Sequence, residues 1–261
     1  MKNRSFRVPA PAVACLYVMI ALASIATRGV AAEIKIGGGG AAMSTVFAPV
    51  AEPFEKATGI HLVVLQSTPK DGLVSLLKGE TQAAAAAVPI ESMVKGAEAD
   101  GQKVDTATLK SNPVATNRTI LLVHKDNPVG KLNKEQIKGI FTGKIVNWKE
   151  VGGKDLAIIV VWGKNTPGQN AQLVKTMLDG ATVTKEVLES GNYAKVRSDV
   201  AANAEAVGID PLGMVDGTVK AVETEPAMTS PIIVVTKGDP SPEVQKLIDF
   251  VKGDGAKYVR K

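Results

Sequence analysis

The sequence has little of several residue types, and each shortage removes a class of function. Of its 261 residues one is cysteine, Cys15, and two are histidine, His61 and His124. Cys15 lies in an apolar stretch near the start of the chain. The remainder therefore has no thiolate chemistry, no disulfide and no zinc–cysteine site. His61 and His124 sit in the apolar runs HLVVLQ and ILLVH, without a His-x-x-x-His or metal-binding carboxylate pattern nearby, which argues against a metal centre. No Gly-x-Ser-x-Gly elbow occurs and the carboxylates are scattered, so neither nucleophilic hydrolysis nor paired-carboxylate catalysis is indicated. The expectation is a non-enzyme with no catalytic residue, no metal and no cofactor. Aromatic residues are scarce, at 4%, and no repeat or low-complexity linker breaks the chain.

Long hydrophobic runs are missing too. The longest extends from about Ala12 to Ile25, too short for a comfortable membrane span of ~20 residues. Lys2, Arg4 and Arg7 precede it, and Arg28 and then Val30-Ala31-Ala32 follow it. That order is a basic segment, an apolar segment and a small-residue cleavage site, so residues 1–32 read as a signal peptide cut after Ala32. Cys15 stands before the end of the apolar run, where a lipoprotein cysteine does not belong. A periplasmic location is expected. The net charge of +5 comes largely from this leader: four of the 31 basic residues and no acid fall in it, leaving 27 against 26. With the basic excess removed, nucleic acid is not an expected partner.

What is present is an α/β pattern. Glu33–Gly59 reads as a strand (EIKI), a run of four glycines at Gly37–Gly40, and a helix over about Ser44–Thr58; His61–Gln66 is a second strand. Strand, loop, helix and strand make a βαβ unit with parallel strands. Ser67–Gly72 reads as a loop, Leu73–Lys78 as a short helix, and Ala83–Val88, despite alanine's weak strand preference, as a buried strand ended by Pro89. Strands are also expected at Ile120–His124, Leu156–Val161 and Ile232–Thr236, with a short one from Gly208. Helices are expected at Ala171–Leu178, Thr184–Glu189, Val196–Val207 and Pro242–Lys252. Gly37-x-Gly39-x-x-Ala42 matches the dinucleotide fingerprint, but Gln66 stands where the ribose-binding acid belongs. Glycines before a helix can still bring backbone N–H groups close to an anion.

The most specific stretch is Leu132–Gly153, LNKEQIKGIFTGKIVNWKEVGG. Asn133 and Gln136 form a capping box, Leu132 and Ile137 a hydrophobic staple, and Ile137, Ile140 and Phe141 one apolar face. IFTGKI, Asn147-Trp148 and Val151-Gly152-Gly153, at this spacing, resemble periplasmic phosphate-binding-like proteins, the solute receptors of ABC importers. Glu33–Gly59, Pro113–Val129 and Ser230–Lys261 extend the likeness over nearly the whole chain after the leader.

The resemblance implies a two-lobed, type II periplasmic binding fold, each lobe a mixed sheet flanked by helices, with two crossing hinge strands. Lobe 1 would be discontinuous, 33–116 and 229–261, and lobe 2 would be 117–228. It implies a monomer that binds a small anionic solute, phosphate or phosphate-like, in an interlobe cleft and delivers it to an ABC permease. The alternative is a sensory or scaffolding protein of the same fold with a degraded pocket. The family's phosphate-binding pattern departs at several positions. Its first loop reads Gly39-Gly40-Ala41-Ala42, its second Ser67-Thr68-Pro69-Lys70-Asp71-Gly72, its third Ala83–Val88, and its fourth Gly163-Lys164-Asn165-Thr166-Pro167-Gly168-Gln169. The family's aspartate and arginine are thus replaced. The implied ligand contacts are Gly40, Ala41, Ser67, Thr68, Asn165, Thr166, Gly168 and Gln169, with Lys70 and Arg118 as sources of compensating charge.

Overall fold

The computed structural model describes residues 32–260. The expected leader therefore lies almost entirely outside the described residues. Strand β1 (Glu33–Gly39) leads into α1 (Gly40–Ala42), a π-helical stretch at Met43–Phe47, and α2 (Ala48–Thr58). The glycines expected as a loop belong instead to strand and helix start. The reason is close packing: a Cβ on Gly38 would lie 1.9 Å from Ala85 O, and one on Gly72 would lie 2.5 Å from Gly38 Cα. The π stretch also has a local cause, since Pro49 has no N–H for the carbonyl of Thr45. Arg260 N–H fills that acceptor at 2.9 Å, tying the end of the chain to the first helix.

β2 (His61–Ser67), α3 (Pro69–Leu77), β3 (Ala83–Ala86) and α4 (Ile90–Ala99) follow. Helix α3 begins at Pro69, inside the segment expected as a loop, because proline suits the first helical turn and Thr68 caps it. β4 (Leu109–His124) is a 16-residue strand; then come β5 (Lys131–Asn133) and α5 (Lys134–Phe141), whose capping box is formed as expected. β6 (Ile159–Gly163) precedes α6 (Pro167–Thr176), which starts four residues earlier than its apolar pattern suggested. The helix expected at Thr184–Glu189 is absent: β7 (Val187–Ser190) pairs there with β6. α7 (Tyr193–Ala202), β8 (Ala206–Pro211), β9 (Val219–Glu225), β10 (Met228–Lys237) and α8 (Pro242–Lys252) complete the order.

The sheet runs β2-β1-β3-β10-β4-β8-β6-β7, with β9 on the free side of the later part of β4 and β5 beyond it. β1 pairs in parallel with β2 and β3, and β6 with β7 and β8, while β10 and β4 run antiparallel over nearly the full length of β10. Strand alternation places successive residues on opposite faces. Ile34, Ile36, Ala83, Ala85, Ile232 and Val234 face α2 and α8, whereas Ala84, Ala86, Ile233 and Val235 face α3 and α4. A second pair of cores surrounds the other half of the sheet: Leu121, Val123, Phe141, Trp148, Val160 and Ile209 on one face, and Ile120, Leu122, Val161, Val196 and Val200 on the other. Two α/β lobes result, and β4 and β10 both run from one core to the other. The all-alanine strand survives because its four side chains are fully buried between β1 and β10, where small residues let the layers approach.

Candidate functional site

Three helix starts meet where the lobes face each other. Gly39–Ala41 at the head of α1, Ser67–Pro69 at the head of α3, and Ala87-Val88 form one wall. Asn165, Pro167–Gln169 and Gln172 of the α6 segment and Tyr193 of α7 form the other, with Asn117 of β4 between them. They enclose a cavity of about 20 Å³. A water needs ~10–15 Å³ on this measure, so a tetrahedral ion of five heavy atoms enters only if a wall moves outward.

Seven of the eight residues expected at the site line this cavity: Gly40, Ala41, Ser67, Thr68, Asn165, Gly168 and Gln169. Thr166 does not. It is fully buried, and its hydroxyl lies 3.2 Å from Gly163 O and 3.0 Å from Asn170 Oδ1, closing the turn into α6. Thr68 is partly committed as well: its Oγ1 accepts from Asp71 N–H at 3.2 Å and donates to Asp71 Oδ2 at 2.6 Å. The start of α6 has no side-chain cap, so the N–H groups of Gly168 and Gln169 stay available beside the cavity.

Neither cation lies in the lining. Lys70 pairs with Asp100 of the α4 end, a hydrogen bond that holds its ammonium above the usual lysine range. Arg118 is exposed and alternates with Asn117 along β4, so it points to the opposite face. Among the described residues the lining holds no lysine, arginine, aspartate or glutamate; the polar side chains are Ser67, Thr68, four amides and Tyr193.

Tyr193, Gln172 and Asn117 line the cavity in addition to the expected residues. Asn117 and Thr119 share one face of β4, a spacing visible in the sequence once the strand is known to begin at Leu109. Tyr193 and Gln172 lie on helices remote in the chain and carried no local signal. Burial, followed by the nearby charge of Asp210, pushes the proton affinity of the Tyr193 hydroxyl up, and the nearby backbone N–H of Ala41 acts the other way. Its ring packs on Gly40, where a Cβ would lie 2.6 Å away. Beneath α7 sits Asp210, fully buried, with neither carboxylate oxygen hydrogen-bonded. Arg197 Nη1 lies 3.9 Å from it. Burial raises the Asp210 pKa to about 8, against the attraction of Arg197 and with the help of Asp216.

A family model described as the PBP superfamily domain matches residues 26–254. The chain belongs to the PBP superfamily. The phosphate-binding protein PstS of Bacillus subtilis (strain 168) is 30% identical to this PBP chain over 176 residues, 67% of the chain and 56% of that relative. The match thus spans little more than half of the relative's length. A candidate phosphate ABC transporter substrate-binding protein from Clostridium perfringens, solved with bound phosphate, superposes with a TM-score of 0.73 at 26% identity, covering 87% of this chain and 98% of that one. An ABC-type phosphate transport receptor from Vibrio cholerae gives 0.64 at 25% identity, covering 87% and 96%. The regulatory domain of OxyR from Pseudomonas aeruginosa, at 14% identity and a TM-score of 0.61, shares the fold alone, with 85% of this chain and 98% of that one covered. Among the described residues no helix is long and apolar enough to cross a membrane.

Proposed function

We propose that the chain is the periplasmic substrate-binding receptor of an ABC importer and takes up a small oxyanion, phosphate or phosphate-like, between its lobes. The observation that carries this reading is the meeting of helix starts from both sides on one buried cavity. Backbone N–H groups at such starts favour anions without any cationic side chain. Gly40, Ala41, Ser67, Gly168 and Gln169 are the proposed contacts, with Asn165 and Thr68 at the rim. The phosphate-binding relatives support the ligand class. The lobe limits, 33–116 with 229–261 and 117–228, are supported by the switch of core membership between Val114 and Ile120 on β4 and between Met228 and Ile232 on β10. A ligand touching both lobes favours their closed arrangement, which an inner-membrane permease would then read. A monomer suffices for this scheme.

Thermal unfolding of residues 33–261 tests it. Phosphate at about a hundred times its dissociation constant adds roughly 2.7 kcal/mol, which raises the midpoint by roughly 5–10 °C for a chain of this size. No shift with phosphate, sulfate, molybdate, phosphonates or small carboxylates would transfer the assignment to the second reading, a sensory or scaffolding protein. One observation favours that alternative: among the described residues the lining holds no charged side chain.

A further inference from the structure

Strand β2 ends the sheet order, so one of its edges faces no other strand among the described residues. All seven of its residues stay in register with β1, from Glu33 beside His61 to Gly39 beside Ser67, without a bulge. His61 N–H donates to Ala32 O at 2.8 Å, which sets the alternation. His61, Val63, Leu65 and Ser67 turn their backbone groups toward β1, whereas Leu62, Val64 and Gln66 turn theirs outward. Among the described residues no backbone group pairs with that outward row.

Sheet edges are commonly guarded by lysine, proline, a bulge or shortness. β2, with the sequence HLVVLQS, has none of the four. The other end of the sheet is the contrast: β7 is four residues long and sets Glu189 beside Leu188. On β2 an apolar side chain stands in the open instead. Leu65 is 44% exposed, and Val63 on the same face is half-buried.

The sequence of the strand is complementary to itself. Run antiparallel about Val64, it sets Val64 opposite Val64 of a second copy, Leu62 opposite Gln66, and His61 opposite Ser67. The outward groups of Leu62, Val64 and Gln66 then meet the same three residues as hydrogen-bonded pairs. Val63 falls opposite Leu65 in the non-hydrogen-bonded positions, where cross-strand side chains lie closest. No like charges are opposed. His61 is engaged by Glu55 of its own chain at 2.9 Å, and on the adjacent α2 Glu52 is paired with Lys56. A strand of seven residues is well below the ~20–30 residues a side of a standard interface, so the pairing is weak and reversible.

We propose that the free edge of β2 is a docking surface for a second copy of this chain, the two strands pairing antiparallel about Val64 into one continuous sheet. Leu62 packs in the core of lobe 1, so each copy keeps its own lobe 2 and its own cavity. The inference is independent of which ligand the cavity takes.

Sedimentation velocity of residues 33–261 from about 1 μM to about 1 mM, the span of weak affinities, tests it. The wild type is expected to pass from monomer to dimer and to stop there. Leu65→Lys removes both Val63–Leu65 pairs and sets two like charges diagonally across the dyad, weakening association by roughly two- to thirtyfold. Leu188→Lys, the matched change on the exposed leucine of β7, should associate as the wild type does. A cooperative melt checks that both variants are folded. Amide exchange at Leu62, Val64 and Gln66 should slow as the concentration rises. A wild type that stays monomeric throughout, or that grows beyond a dimer, overturns the proposal. So does folded Leu65→Lys that dimerises as well as the wild type, or Leu188→Lys that is weakened as much as Leu65→Lys.

Discussion

Asp210 shows how far one residue can depart from its ordinary chemistry. It lies at the end of β8 under α7, in the company of Tyr193, Arg197 and Asp216, and burial holds its proton on up to about pH 8. The unfolded chain releases that proton near pH 4. Between those values the folded state carries more protons than the unfolded one, so stability attributable to Asp210 is fully present below about pH 4 and is lost as the pH rises toward 8. Asp210→Asn keeps the shape without the titration. Urea midpoints of the two proteins between pH 5 and 9 should converge at the acid end, with the wild type falling below Asp210→Asn at the alkaline end. Parallel curves would mean that Asp210 is ionised in the folded protein. The sequence offered only a hint of this, an aspartate closing the apolar run AVGID before Pro211. Which side chains surround it was settled by the packing of α7 on β8.

At the scale of elements, the seating of α3 on β1 fixes one wall of the cavity. Gly72 of α3 meets the backbone of Gly37 and Gly38 with no room for a methyl group, since its Cβ would lie 2.5 Å from Gly38 Cα and 2.8 Å from Gly37 O. Backbone cannot yield as a flexible side chain does. Gly72→Ala should destabilise the protein by about 1–3 kcal/mol and displace Ser67–Pro69, lowering phosphate affinity as well. A melt and a titration on the same sample check both, and an unchanged midpoint would show that α3 can slide without cost. This contact also explains why the local reading of the glycine run was incomplete. Four successive glycines look like a flexible turn to any argument from propensity. Here Gly37–Gly39 extend a buried strand because a helix and a neighbouring strand press against them. The opposite case is α5. Its cap, staple and apolar face all lie within ten residues of one another, and it formed as its sequence indicated. At Thr184–Glu189 propensity lost to pairing, since β6 offers a free edge to Val187–Ser190.

For the whole molecule the decisive contacts are those between lobes. Tyr193 reaches from α7 to Gly40, Gly168 lies near Val88, where an added Cβ would come within 3.0 Å of Val88 Cγ1, and Arg260 packs on Gly213. These contacts describe a closed arrangement of the lobes. Tyr193→Ala removes the ring that packs on Gly40 and should shift the balance toward opening. Solution scattering should give a larger radius of gyration for Tyr193→Ala than for wild type. Identical radii would show that the ring does not hold the lobes.

The sequence by itself determined the α/β class, the capped α5 unit, the family likeness and most of the segments that reach the cavity. Each of these rests on short-range pattern: apolar period, caps, and loop residues just before helix starts. Thr166 was placed at the wall because residue type cannot distinguish a hydroxyl facing a cavity from one closing its own turn, and its bonds to Gly163 and Asn170 do the latter. Tertiary structure alone decided that Lys70 is paired with Asp100, that Arg118 faces away, and that Tyr193 covers Gly40. It also left the side-chain oxygens of Asn117 and Gln169 buried without a hydrogen bond. The polar character of the site is the sum of hydrogen bonds made and left unmade between residues far apart in the chain, and that sum exists only once the lobes have packed.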